Sequence, residues 1–347
     1  IDPDTTGSDT PIIDLTELGK RGEEESDLDR RKREITEDTG SQVEVESPSN
    51  ALSIDDLARS RDSNQQLATI TPRTAISLVP APVAKVTETG PHGPLPRKAK
   101  DGVLPASIYA RPVPREQLLS DIPKVAVLIG GMGLNEGLTQ SAIRQLPPEI
   151  SLAFAPYGEN LQDQANSARS NGHEVFIHLP MEPFGYPSID PGPRTLLTSA
   201  SAEQNIDSLH WHLGRFTGYA GVTNYLGAQF ASNKNAISPI LKELGKRGLV
   251  YLDDGSKGLS QATSIAGSMG LNARSSIINL DGNAGSAEEV LTRLQQLEAM
   301  ARQNGMAIAT GSGLPDTIDA INQWSQGLAG RNIILVPVSA AFATRGS

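Results

Sequence analysis

From Lys124 to about residue 340 the chain repeats one texture: a short apolar run, then a stretch with apolar residues at three- and four-residue spacing. The runs predict strands over 124–130, 150–155, 174–179, 219–224, 248–253, 275–280, 305–310 and 332–338. The stretches between them predict helices over 135–146, 159–171, 202–215, 235–247, 258–269, 286–304 and 314–329. Ser201 with Gln204 three residues later fits a capping box. Asn171-Gly172 and Gly305 stand where helices should stop. Strands alternating with helices in this way run parallel and are joined by crossovers. The fold class is therefore α/β, with an α/β barrel fitting the count and a doubly wound sheet as the alternative. In either architecture the chemistry belongs at the C-terminal ends of the strands.

The pattern fails before Lys124. Residues 1 to about 95 hold few large apolar side chains and many Asp, Glu, Ser, Thr and Pro, which cannot bury enough surface to offset the entropy of ordering. The expected organisation is a disordered acidic and proline-rich stalk over 1–100, an extended lead-in over 101–122 and one domain over 123–340. Residues 1–60 carry 17 acidic against seven basic side chains, and the whole chain has a net charge of −10, so the remainder is close to neutral. A near-neutral domain with few aromatics lacks the basic, stacking surface of a nucleic-acid binder. The absence of cysteine excludes disulfides and thiolate chemistry. No run of about 18 apolar residues occurs, so no segment is expected to span a membrane.

Candidate chemistry is sparse. Gly131, Gly133 and Gly137 follow a strand and precede a helix, which is the setting of a nucleotide loop over 130–137. The next strand ends in Ala155-Pro156-Tyr157 without the acid that would hold a ribose, so this reading stays weak. Of the five histidines, His92 is in the linker, His173 precedes a strand and is placed to cap the helix before it, and His210 and His212 point to different faces of one helix. His178 alone stands at a strand end, where a general base or ligand and a satisfied structural histidine are even alternatives. Asp253 and Asp254 leave a buried strand together; a cleft role for Asp253 is favoured over an Asx-turn using Asp254 and Gly255. Arg194 would project from the proline-rich loop 180–200, a candidate binding wall.

The segments "GHEVFIHLPMEP", "GVTNYLGAQF", "GLVYLDDGS" and "ARQNGMAIATGSGLP" resemble the divergent polysaccharide deacetylases of bacterial envelopes, over residues 123 to about 340. The resemblance implies a NodB-like distorted (β/α) barrel of seven or eight parallel strands. It also implies an envelope location, periplasmic, with an inner-membrane anchor upstream of residue 1 and the acidic tract as stalk. Such enzymes hold a divalent cation on one carboxylate and two imidazoles, with a second carboxylate as base. Where the family has "IDDxG" this chain has Ile129-Gly130-Gly131-Met132-Gly133, and where it has "NNHMG" this chain has Thr223-Asn224-Tyr225-Leu226-Gly227. "IGHP" is replaced by Thr310-Gly311-Ser312-Gly313. His178, Asn224 and Asp253 remain.

The resemblance therefore implies an emptied catalytic site. The leading expectation is a protein that binds cell-wall glycan or an envelope protein partner without metal and without a cofactor. Its binding residues would be Gly130, Gly131, Tyr157, His178, Glu182, Arg194, Asn224, Tyr225, Asp253 and Ser312. The alternatives are a hydrolase rebuilt around His178, Asp253 and Asp254, with Glu182 as a further member, and a nucleotide enzyme using the glycine loop.

Overall fold

The computed structural model describes residues 76–255, 260–282 and 285–343. An antiparallel hairpin comes first, β1 (Thr87–Gly90) and β2 (Gly93–Pro96), followed by two short helices, α1 (Pro105–Tyr109) and α2 (Arg115–Leu119). The alternating part then runs β3 (Lys124–Met132), α3 (Glu136–Gln145), β4 (Ser151–Phe154), α4 (Leu161–Ser170), β5 (Val175–Met181), α5 (Ala202–Leu213) and β6 (Gly221–Leu226). It continues with α6 (Ala228–Ser232), α7 (Lys234–Arg247), β7 (Val250–Asp253), α8 (Ala262–Ser268), β8 (Ala273–Ser275) and β9 (Ile278–Asn279). The last elements are α9 (Ala287–Asn304), β10 (Met306–Ser312), α10 (Pro315–Gln326) and β11 (Ile334–Leu335).

The strands lie in the order β8-β7-β6-β5-β4-β3-β10-β9, every neighbour parallel. Since β8 and β9 sit at opposite ends of that order yet are separated by only Ser276 and Ile277, the sheet must curl until its two ends meet. The distorted NodB-like barrel expected from the resemblance is the fold observed. The seam is residues 273–279, and the run 332–338, expected as a full strand, takes no part in it. From the latter run only Ile334 and Leu335 form a strand, paired with Lys124 and Val125 of β3 beneath the shorter β4, which joins β3 only from Leu128 onward.

The alternation of side chains makes two apolar layers, as a parallel sheet buried on both faces requires. Val125, Val127, Ile129, Leu152, Phe154, Val175, Ile177, Leu179, Val222 and Tyr251 face the helices. Ala126, Leu128, Phe176, Val250, Leu252 and Ile308 fill the lumen, with Val336, Val338 and Ala340–Phe342 closing its floor. Glu174 is buried at that floor, where Ser151 Oγ and the Arg111 and Ser339 amides all donate to its carboxylate. Helix ends follow the expected chemistry: Ser201 and Gln204 form the capping box, and Gly305 ends α9 at φ 78°.

The expected stalk needs correction over 76–100; residues 1–75 lie outside the described residues. Leu78, Ala81, Val86, Leu95 and Ala99 are buried against the domain. The hairpin tip rests on the end of α5: a side chain at Gly93, where φ is +133°, would lie 2.4 Å from the Gly214 carbonyl. Arg169 fastens this region, donating to the Val79, Tyr109 and Gly218 carbonyls.

Candidate functional site at the barrel mouth

The register decides which strand-end side chains share the mouth. His178 lies level with Thr223, and Thr223 with Leu252, so all three face the lumen. Gly130 lies level with Ser312, and Leu128 with Thr310, also on the lumen side. Leu179, Asn224 and Asp253 occupy the next level and face the helix layer instead. The lumen side of the mouth thus brings together Gly130, His178, Thr223, Tyr225, Thr310 and Ser312.

His178 takes the space a side chain at position 130 would need. A methyl group there would lie 2.5 Å from its Nε2 and 3.0 Å from its Cε1. Its Nδ1 is buried without a hydrogen-bond partner among the described residues, as is Oγ1 of the neighbouring Thr223, a residue only 1% exposed. Burial pushes the His178 pKa down to about 4, so the ring is neutral at pH 7. Tyr225 stands edge-on to it, ring centres 5.7 Å apart, and is 46% exposed. Gly131 (φ 81°) sits in the bulge that ends β3 and faces open space, a conformation that favours glycine. Ser312 is exposed, and its amide donates to buried Asp281.

Four of the expected residues brace loops. Asp253 accepts from the Gly255 amide at 3.0 Å, so the Asx-turn here is made by Asp253 and not by Asp254. Asn224 accepts from the Asp254 amide and the Tyr251 hydroxyl and donates to the Leu226 carbonyl. That last bond holds Leu226 at φ 57° and sets the turn carrying Tyr225. Glu182 accepts from the Thr198 amide and from Gln229 Nε2, closing the base of loop 182–198. Arg194 (φ 59°) donates to Asp207 at 2.9 Å and lies over Trp211. The proposed grouping of His178 with Asp253 and Glu182 is therefore not formed.

Tyr157 belongs to the wall beside the mouth, donating to the Pro193 carbonyl and packing near Trp211 and His212; burial holds its phenol above the ordinary range. His173 does more than end a helix, since both ring nitrogens face carbonyls, of Ile150 and Ile143. Thr223, Trp211 and Arg215 were missed as site residues; the available signal was their distance of two or three positions from strand or helix ends.

The glycine loop does not make a phosphate cradle. Asn135 caps α3 by accepting from the Leu138 amide, Thr139 Oγ1 accepts from the Gly133 amide, and Glu136 opens the first turn. Those donors are used, and a carboxylate stands where a phosphate would approach.

The divalent cation implied by the resemblance does not fit these residues. Facing the lumen are one imidazole, a phenol, three hydroxyls and glycine, and no group of three His, Asp or Glu side chains that could hold a metal is present among the described residues. The phenol and hydroxyls would have to ionise to serve as strong ligands.

Comparison with known proteins agrees with the fold. A family model described as divergent polysaccharide deacetylase matches residues 127–342. The uncharacterized protein YibQ of Escherichia coli K12 is 27% identical over 201 residues, 58% of this chain; the chain spans only 61% of that relative's length. The crystal structure of an uncharacterized protein, ATU2773, from Agrobacterium tumefaciens C58 superposes with a TM-score of 0.69 at 42% identity, covering 72% of this chain and 99% of the other. The catalytic domain of a peptidoglycan N-acetylglucosamine deacetylase from Eubacterium rectale superposes with a TM-score of 0.40 at 12% identity, covering 63% and 90%.

Proposed function

Because the chain belongs to the divergent polysaccharide deacetylase family, we propose that its barrel mouth binds cell-envelope glycan without the metal-dependent hydrolysis of that family's relatives. The observation that carries this reading is the His178 ring lying over Gly130. The position where the family places a carboxylate has no donor, and the ring occupies the space one would need. A neutral imidazole with a pKa near 4 is also a weak base at pH 7. The wall that remains is suited to sugars: an exposed aromatic at Tyr225, hydroxyls at Thr310 and Ser312, and the polar loop carrying Arg194. A periplasmic location, with an anchor preceding residue 1, follows from the same reading.

A protein partner at the same face is the second reading. It is favoured by exposed Leu134, Phe184, Ile189 and Leu314, which stand on the loops after β3, β5 and β10.

The test has three measurements on purified protein. Metal analysis should find no stoichiometric zinc, nickel or cobalt. Acetylated chitooligosaccharides and peptidoglycan should release no acetate above a His178→Ala control. Calorimetry should show glycan binding in the millimolar to micromolar range, roughly −4 to −8 kcal/mol. Stoichiometric metal with acetate release lost in His178→Ala would overturn the reading. Absence of glycan binding would transfer the mouth to a protein partner.

A further inference from the structure

We propose that the wall beside the mouth is a subsite for an anionic sugar, one carrying a carboxylate; this rests on the glycan-binding reading above. The wall is built on Trp211, in the last turn of α5. The guanidinium carbons of Arg194 and Arg215 lie 5.6 Å and 4.9 Å from its ring centre. Two cations are thus held on one aromatic ring, next to Tyr157 and directly beyond the end of β4.

The hydrogen bonding of this wall is one-sided. Among the described residues Arg194 meets one carboxylate, Asp207, whose two oxygens are engaged by Arg194 at 2.9 Å and His92 at 2.6 Å; Asp190, which accepts from the Gly192 amide, lies near Tyr157. The Tyr157 hydroxyl is spent on the Pro193 carbonyl. Arg215 donates only through Nε, to the Pro156 carbonyl at 3.0 Å. Its two terminal nitrogens, and the Trp211 indole nitrogen, have no acceptor among the described residues. What faces outward is a set of donors without acceptors, centred on an exposed cation. A neutral sugar hydroxyl both gives and takes hydrogen bonds and gains little from such a surface. A carboxylate only accepts, and a guanidinium can hold both of its oxygens at once.

His92 gives the subsite a second support. It reaches from the hairpin tip, so the segment before the barrel helps hold Asp207, and through it Arg194, in place.

The experiment titrates the full chain, at low ionic strength, with the disaccharide N-acetylglucosaminyl-N-acetylmuramic acid. The probe is used with its carboxylate free and as the methyl ester, with inorganic phosphate as competitor. The free acid should bind about tenfold more tightly than the ester, and the preference should shrink as salt is added. Arg215→Gln should remove most of the preference, and Arg215→Lys should restore part of it. Equal binding of acid and ester by the wild type, or a preference that survives Arg215→Gln, would overturn the carboxylate subsite and leave glycan binding standing. Displacement of the acid by an equal concentration of phosphate would overturn its selectivity for carboxylate. No binding of either disaccharide would overturn the glycan reading itself.

Discussion

At the scale of single residues, the missing side chain at Gly130 and the ring of His178 are one feature. Gly130→Ala should force the imidazole aside and cost on the order of 1–3 kcal/mol in urea unfolding. His178→Ala should remove most of that cost, so the pair will be strongly non-additive. The displaced ring should also titrate closer to 6.5 by NMR than the value near 4 of the native site. His212 supplies the pH dependence. Its Nε2 faces the Arg194 carbonyl, which can only accept, so that nitrogen carries the proton and the ring is neutral, with burial pushing its pKa down to about 4. Below the ordinary value of 6.5 the unfolded chain takes up a proton that the folded chain refuses. Stability should therefore fall between about pH 6.5 and pH 4, by on the order of 3 kcal/mol from this group; His178, shifted the same way, adds to the fall, so His212→Gln should make that part of the stability–pH curve shallower without levelling it.

At the scale of elements, the barrel strands were readable because both of their faces are apolar and their ends carry glycine, proline and capping residues. The hairpin was not. Pro94 and Pro96 with the prolines before them read as linker, and the burial of Leu95 comes from packing of β2 against α5, more than a hundred residues away. Leu95→Ala should therefore cost about 2–4 kcal/mol by chemical denaturation, the penalty of a core position; a cost near zero would return this segment to the status of a linker. The seam was also hidden. Residues 275–280 read as one strand, whereas Ser276 divides them: its amide goes to Asp253 of β7, and the next amide, of Ile277, goes to Ile308 of β10. The sequence pattern marks an extended segment but not the moment it changes partners.

At the scale of the molecule, the grouping of His178 with Asn224 and Asp253 failed for one reason. Residues one level apart on neighbouring parallel strands face opposite sides of the sheet, and relative register cannot be seen in a single sequence. Which residue types stand where the resemblance implies ligands was legible, because that depends on sequence alone. The seam carries a mechanical consequence of its own. The ladders of the ring range from seven register pairs between β10 and β3 and six between β5 and β6 to three at β3–β4, β4–β5, β6–β7 and β7–β8, and the shortest, two pairs, joins β9 to β10 at the seam. A hoop strained from within parts at its clasp. Amides of residues 273–279 should accordingly exchange with solvent well before those of β3, β5 and β6 in a native-state hydrogen-exchange series. A ligand too wide for the mouth would find its room there, by easing two short strands apart along a joint the rest of the barrel does not need to follow.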